Sequence, residues 1–201
     1  VAMLSDLGLL EEVRTLPSAP VGHIVFASPD HIEANIPLDR YPLNDLMTGR
    51  MLPMEGFVIR REVFDDFLFQ KAKKSSCDCL EGFTVEDVLW EGEHVAGIRG
   101  TDKTGSAKAF TAPLVLGCDG YRSIIAQKAG LYKHESEHWM VALRQYFSGV
   151  KGLAGQIELN FIDAALPGYF WVFPIEADRA NVGISMSHND IKANGIHLKD
   201  A

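Results

Sequence analysis

Three stretches of this sequence hold residue types whose spacing could do chemistry. In Gly117-Cys118-Asp119-Gly120-Tyr121-Arg122-Ser123 an apolar run ends in Asp-Gly and turns straight into a helical pattern. Such a joint places backbone N–H groups and a helix N-terminus at the carboxyl edge of a sheet, where open α/β sheets take phosphorylated cofactors. Gly120 permits close backbone approach, and Asp119 can cap the helix or accept a hydroxyl hydrogen bond. The same residues serve equally well as a strand–turn–helix joint with an N-cap and no ligand. The second stretch is Leu166-Pro167-Gly168-Tyr169-Phe170-Trp171-Val172-Phe173-Pro174. On a strand Tyr169, Trp171 and Phe173 project together, making a flat apolar wall that suits a long hydrocarbon or an aromatic ring. A core-facing stripe of a half-buried sheet alternates in the same way, and on alternation alone that is the simpler reading.

The third stretch, His134-Glu135-Ser136-Glu137-His138, fits the H-E-x-x-H zinc pattern and its inverse. Zinc chemistry needs both histidines on one helical face and a third ligand. Here the motif follows Gly130 without apolar helical periodicity, and Glu158, a third ligand by spacing, falls on a predicted strand. The segment reads as a polar loop. Cys77 and Cys79 lack the second pair a metal site would need. With Cys118 they read as free thiols of a reducing, cytoplasmic compartment. The chain has no G-x-G-x-x-G and no Ser/His/Asp set with a nucleophile elbow.

The elements that must position these residues alternate clearly. Val1 to Arg14 carries apolar residues at helical spacing and reads as one helix already under way, without an N-cap. Val21 to Ser28 and His31 to Leu38 flank Pro29-Asp30 and predict a hairpin. Leu43 to Pro53 reads as loop. Arg60 to Lys74 predicts a helix with Val63, Phe64, Phe67, Leu68 and Ala72 on one face, acids leading and lysines trailing. Thr84 to Trp90, Val95 to Thr101 and Ala107 to Thr111 read as a three-stranded antiparallel meander. Leu114 to Cys118, uninterrupted and apolar, reads as a strand buried on both faces, followed by a helix from Arg122 to Ala129. Four further strands are expected at Val141 to Phe147, Gln156 to Ile162, Tyr169 to Phe173 and Ala180 to Met186. A last helical pattern opens at Asn189. The expected class is mixed α/β with a larger antiparallel sheet.

Composition bounds the partners. A chain of 201 residues with 47% hydrophobic and 23% charged residues has the balance of an ordinary globular protein. The formal charge of −8 argues against nucleic acid, because no basic excess exists to displace counterions from phosphates. It leaves room for peripheral contact with a membrane that carries the substrate. No apolar run approaches the roughly 18 residues of a spanning helix.

Taken together, three motifs resemble one family. Val58 to Leu68, containing Arg61-Glu62-Val63-Phe64-Asp65, resembles the Arg-x-x-Phe-Asp helix start of FAD-dependent hydroxylases, halogenases and geranylgeranyl reductases. Gly117 to Ser123 resembles the Asp-Gly motif of the same flavoproteins. Pro167 to Pro174, followed by Ala180 to Ile184, is similar to the Tyr-x-Trp-x-Phe-Pro segment of geranylgeranyl reductases, the most family-specific of the three. The family's longer motif carries a proline three residues before the tyrosine, where this chain has Leu166 with Pro167 after it. The chain thus resembles an internal stretch of a geranylgeranyl reductase, within the p-hydroxybenzoate hydroxylase-like flavoproteins.

The resemblance implies a partial Rossmann-like FAD/NAD(P)-binding domain joined to an antiparallel substrate domain. Residues 1–58 would be the substrate-domain hairpin and connecting loop, 59–132 part of the FAD domain, and 133–201 the substrate domain. Arg61, ahead of Arg60, would reach the phosphate and ribose of FAD. Val85 would offer its backbone to the adenine, and Asp119 and Gly120 would support the cofactor site. Tyr169, Trp171, Phe173 and Pro174 would line the tunnel of an isoprenoid or other apolar substrate. FAD, reduced by NAD(P)H or another donor, would deliver hydride to a C=C bond. The same motifs also fit a flavin monooxygenase or halogenase, and the aromatic sheet alone fits a non-catalytic domain that binds apolar ligands. No acid–base residue is identified.

Overall fold

A computed structural model describes residues 1–40, 49, 51 and 55–195. Most of the loop expected over Leu43 to Pro53 lies outside the described residues. In chain order the helices are α1 (Ala2–Asp6), α2 (Leu10–Val13), α3 (Arg61–Lys73), α4 (Ile124–Lys128) and α5 (His188–Asn194). The strands begin with β1 (Ser18–Val21), β2 (His23–Ala27), β3 (Glu33–Pro37) and β4 (Gly56–Ile59). They continue with β5 (Phe83–Glu91), β6 (His94–Asp102) and β7 (Ala107–Thr111). The last four are β8 (Met140–Ser148), β9 (Gln156–Asn160), β10 (Tyr169–Glu176) and β11 (Arg179–Ser187). The mixed α/β class expected from the sequence is what the chain adopts.

The chain folds as two compact units, one of Val1–Lys71 with Ser136–Ala201 and one of Ala72–Glu135. The first is built on a six-stranded sheet of order β3-β2-β9-β10-β11-β8, with the pair β1-β4 as a separate small sheet. Every pairing in the large sheet is antiparallel except β2 with β9, which run parallel from His23↔Gln156 to Ala27↔Asn160. The expected hairpin is present as β2–β3, its turn extending to His31, which takes a left-handed φ of 61°. The core of this unit gathers Val13, Ala19, Val21, Val25, Trp171, Ile175 and Ala180.

One helix over Val1 to Arg14 does not form. Gly8, at φ 68°, closes α1 with paired hydrogen bonds from Leu9 N–H to the Leu4 carbonyl and from Gly8 N–H to the Ser5 carbonyl. This left-handed stop is cheap only for glycine. It redirects the chain, so that α2 buries Leu10 and Val13 while Leu7 stays 62% exposed. Helix α3 does form, and its predicted apolar face is half-buried.

The second unit is the meander β5-β6-β7 with α4. Gly97 and Gly100 in β6 let the strands close tightly: a Cβ at Gly100 would lie 1.9 Å from the Thr84 carbonyl oxygen. The β6–β7 turn is fastened by Asp102, whose carboxylate accepts from Thr104 N–H (2.9 Å), Thr104 Oγ1 (2.5 Å) and Ser106 N–H (3.1 Å), and pairs with Lys108 (2.9 Å). The buried strand expected over Leu114 to Cys118 is absent. Leu114 and Leu116 are 71% and 74% exposed. An apolar run becomes a buried strand only beside a neighbour, and none of the described strands pairs with it.

Asp102 makes a pH prediction. Its carboxyl is held well below the usual range, first by the Thr104 hydroxyl and then by Lys108. A depressed carboxylate stabilises the fold above the unfolded value of about 4 and loses that contribution as pH falls toward its folded value. Urea unfolding midpoints measured at pH of about 7 and about 3 should therefore differ less in Asp102→Asn than in the parent chain. An equal pH dependence in both would remove Asp102 from the account.

Candidate functional site

The aromatic strand β10 lies inside the large sheet, between β9 and β11. Ring centroids of Tyr169 and Trp171 are 6.0 Å apart, and those of Trp171 and Phe173 6.1 Å. Phe161 continues the row at 6.1 Å from Tyr169, and Phe26 lies 6.5 Å beyond Phe161. The predicted stripe is therefore part of a five-ring run. Its members differ in burial: Trp171 is 8% exposed, while Tyr169 and Phe173 are half-buried. Two residues fix Trp171. Its indole N–H donates to Asn181 Oδ1 at 3.2 Å, and its ring lies over Gly183, where a Cβ would stand 2.2 Å from Cζ2. Pro174 is buried and, one residue after Phe173, turns to the opposite face of the strand.

Phe173 also lines a cavity of about 380 Å³ in this first unit, shared with Ile24, Val58, Ile157, Tyr146, Asn181, Arg60 and Arg61. Its floor follows from register. Ile24 lies beside Ile157, Phe173 opposite Asn181, and Asn181 opposite Tyr146. Strand β4 and the start of α3 supply the other wall. Arg61 donates from Nε to both oxygens of Asp65, at 2.9 and 3.1 Å, and this bond raises its pKa above the usual guanidinium value. Arg60 pairs with Glu62 at 2.8 Å. Arg144 donates to the Tyr146 hydroxyl at 2.6 Å, its guanidinium 5.1 Å from the ring centroid. The result is an apolar floor with guanidinium groups at its margin, suited to an apolar chain or ring that ends in an anionic group.

Arg61 and Phe173, singled out on separate motifs, thus line the same cavity. Arg60 stands in the sequence reading behind Arg61 as the arginine for the FAD phosphate, whereas Tyr146, Asn181 and Ile24 carry no role there. The other three join through strand register, which has no local signal.

In the second unit the Asp-Gly motif is a capping device. Asp119 accepts from Ser123 Oγ (2.5 Å), Ile124 N–H (2.7 Å) and, weakly, Ile125 N–H (3.4 Å). Ser123 Oγ in turn accepts from Ala126 N–H at 2.9 Å, as the N-cap of α4. These bonds, the Ser123 hydroxyl foremost, lower the Asp119 carboxyl below its usual value. Both oxygens face the helix start, so Asp119 shapes the turn. Gly120 holds φ 80° with open space where a Cβ would be, which leaves its backbone approachable. Val85 stands on the edge strand β5, opposite Gly100 and next to a bulge.

The zinc-like segment is a single 3-10 turn, Ser136–His138, and not the longer helix that would set both histidines on one face. Glu135, Glu137 and His138 bring ligand atoms within 4.8 Å of one another, all on exposed side chains, and His134 is not in that group. Among the described residues no helix is long and apolar enough to cross a membrane.

A family model described as FAD binding domain matches residues 1–182. The chain belongs to this FAD binding domain family. Among its relatives, digeranylgeranylglycerophospholipid reductase 2 of Methanothermobacter thermautotrophicus is 29% identical over 146 residues, 71% of this chain and 37% of the relative. Digeranylgeranylglycerophospholipid reductase 1 of Methanopyrus kandleri is 28% identical over 148 residues, 73% of this chain and 39% of the relative. The chain thus spans well under half the length of the curated relatives it matches. Among solved structures, a geranylgeranyl bacteriochlorophyll reductase-like protein of Thermoplasma acidophilum superposes with a TM-score of 0.81 at 23% identity, covering 100% of this chain and 48% of that one. The myxobacterial chondrochloren halogenase, an FAD-dependent halogenase, gives 0.80 at 23% identity, covering 98% and 44%. At these identities the structural likeness shows the fold. The resemblance to geranylgeranyl reductases read from the motifs is supported by family, relatives and fold together.

Within the second unit Gly120 offers an approachable backbone; within the first unit, taken by itself, Arg61 carries a side chain 72% exposed at the start of α3. Asp119 does not offer its carboxylate, which the α4 cap occupies.

Proposed function

We propose that this chain is part of an FAD-dependent reductase that saturates C=C bonds of geranylgeranyl or related isoprenoid groups. The observation that carries the reading is the aromatic row of β10 running into an apolar cavity with arginines at its margin. Such a surface suits a prenyl chain with an anionic end, and the curated relatives are named as reductases of a digeranylgeranyl phospholipid.

FAD, when bound and reduced by NAD(P)H or another donor, would supply the hydride. This chain's residues contribute binding, orientation and dryness. Tyr169 and Phe173 would hold the hydrocarbon and exclude water, with buried Trp171 packed between them on the same face and Pro174 buried on the opposite one. Arg61 would bind the phosphate and ribose region of FAD, which leaves Arg60 as the margin arginine for the anionic end of the substrate. Val85 would meet the adenine through its backbone, Gly120 would let the cofactor approach, and Asp119 would hold that turn in shape. In this reading residues 59–132 belong to the FAD-binding part, and residues 1–58 and 133–201 to the substrate part. A lipid substrate would bring the protein to a membrane surface.

The halogenase neighbour favours a second reading, flavin-dependent oxygenation or halogenation on the same fold. One experiment separates the two: anaerobic incubation of the full-length protein with a geranylgeranyl lipid and a flavin reductant, with products read by mass. The reductase reading expects hydrogenated product without oxygen, and Phe173→Ala should raise KM for the lipid about tenfold, as loss of a buried aromatic contact does. Product that forms only with oxygen present would overturn it.

A further inference from the structure

Two thiols take no part in the chemistry described so far. Just beyond α3, Cys77 Sγ and Cys79 Sγ lie 3.9 Å apart, Cys77 exposed and Cys79 half-buried. Ser75 Oγ stands 2.8 Å from Cys77 Sγ and 2.6 Å from the Ala72 carbonyl oxygen, and Cys77 Sγ lies 3.2 Å from that same carbonyl. One hydroxyl hydrogen cannot serve both acceptors. While Cys77 is protonated, the thiol and the hydroxyl can share the carbonyl; once Cys77 ionises, the hydroxyl turns to the sulfur. The Cys77 thiol is accordingly lowered, first by Ser75 and next by Cys79, whereas desolvation raises Cys79. Among the described residues the pair belongs to no group of three metal-ligating side chains. Two sulfurs so close, one exposed and lowered and the other half-buried and raised, have the arrangement of an attacking thiol beside a resolving partner.

We propose that Cys77 and Cys79 form a reversible dithiol–disulfide couple that hydroperoxides oxidise. The Cys77 thiolate attacks one peroxide oxygen and the O–O bond breaks. With hydrogen peroxide the departing oxygen takes up a proton and leaves as water, and Cys77 holds a sulfenic acid. Cys79 sulfur then attacks Cys77 sulfur, the S–O bond breaks, and the hydroxyl leaves with the Cys79 proton as a second water. Two electrons pass from the sulfurs to the peroxide, and an external dithiol reverses the oxidation. The proposal rests on neither the cofactor nor the substrate reading.

The test treats the intact protein with hydrogen peroxide, alkylates the remaining thiols and reads the peptides by mass. Expected is a peptide spanning Cys77 and Cys79 about 2 Da lighter than its dithiol form, unalkylated and restored by dithiothreitol, with exposed Cys118 still alkylated. Ser75→Ala should slow the oxidation about fivefold, the factor one ordinary hydrogen bond supplies. Cys79→Ser should accumulate a sulfenic acid at Cys77 that dimedone traps. If both thiols remain alkylatable in the parent protein, or if Cys118 oxidises as fast as Cys77, the couple does not exist.

Discussion

Alanine at Gly168 is expected to lower the melting temperature by about 10 °C, equivalent to about 3 kcal/mol for a chain of this size. The added Cβ would lie 1.8 Å from the Ser185 carbonyl oxygen, 2.6 Å from its carbon and 2.9 Å from the Ala165 carbonyl oxygen. All three are backbone atoms, so no side chain can swing aside. Nor can Ser185 recede, because β11 is laddered on both sides, with Tyr169 opposite it on β10 and Ala142 on β8. Relief requires β10 to peel from β11 at Tyr169, the end of the strand that begins the aromatic row. Gly22→Ala is the matched control. It meets nothing within 4 Å and needs no left-handed backbone, so its melting temperature should stay close to the parent's. Equal melting temperatures for the two variants would show that the junction yields.

What could be read in the sequence follows the range of the interaction concerned. The meander and the β10–β11 hairpin were legible because their turns are local: Gly92 lies at φ 61° between β5 and β6. The break at Gly8 was missed because apolar spacing runs through it unchanged, and only the left-handed backbone reveals the stop. Leu114 to Cys118 has the composition of a buried strand, but composition cannot say whether a neighbour is there to pair. Much of the site lies at that longer range. Phe173 and Arg61 are visible through motifs. Ile24, Tyr146 and Asn181 reach the cavity only because β2 runs parallel to β9 and because β8, β11 and β10 align in one register. A slip of one residue would turn each to the other face.

Trp171→Ala is expected to cost about 3–5 kcal/mol, the range for truncating a large buried aromatic. The two readings of the aromatic stripe, core layer or ligand wall, predict different patterns along it. A wall residue exposes its ring in the absence of ligand, so its truncation changes stability little and ligand binding strongly. At 8% exposure, tied to Asn181 and laid over Gly183, Trp171 behaves as core. Tyr169 and Phe173 are half-buried, and Phe173 faces the cavity. Urea unfolding should therefore rank Trp171→Ala well below Tyr169→Ala and Phe173→Ala in stability. Trp171→Phe keeps most of the packing and loses the indole N–H bond, costing about 1 kcal/mol from that bond. Three equal losses would place the whole stripe in the core and leave the cavity without an aromatic wall. The expected gradient makes Trp171 the fixed layer against which Tyr169 and Phe173 are held open for a ligand.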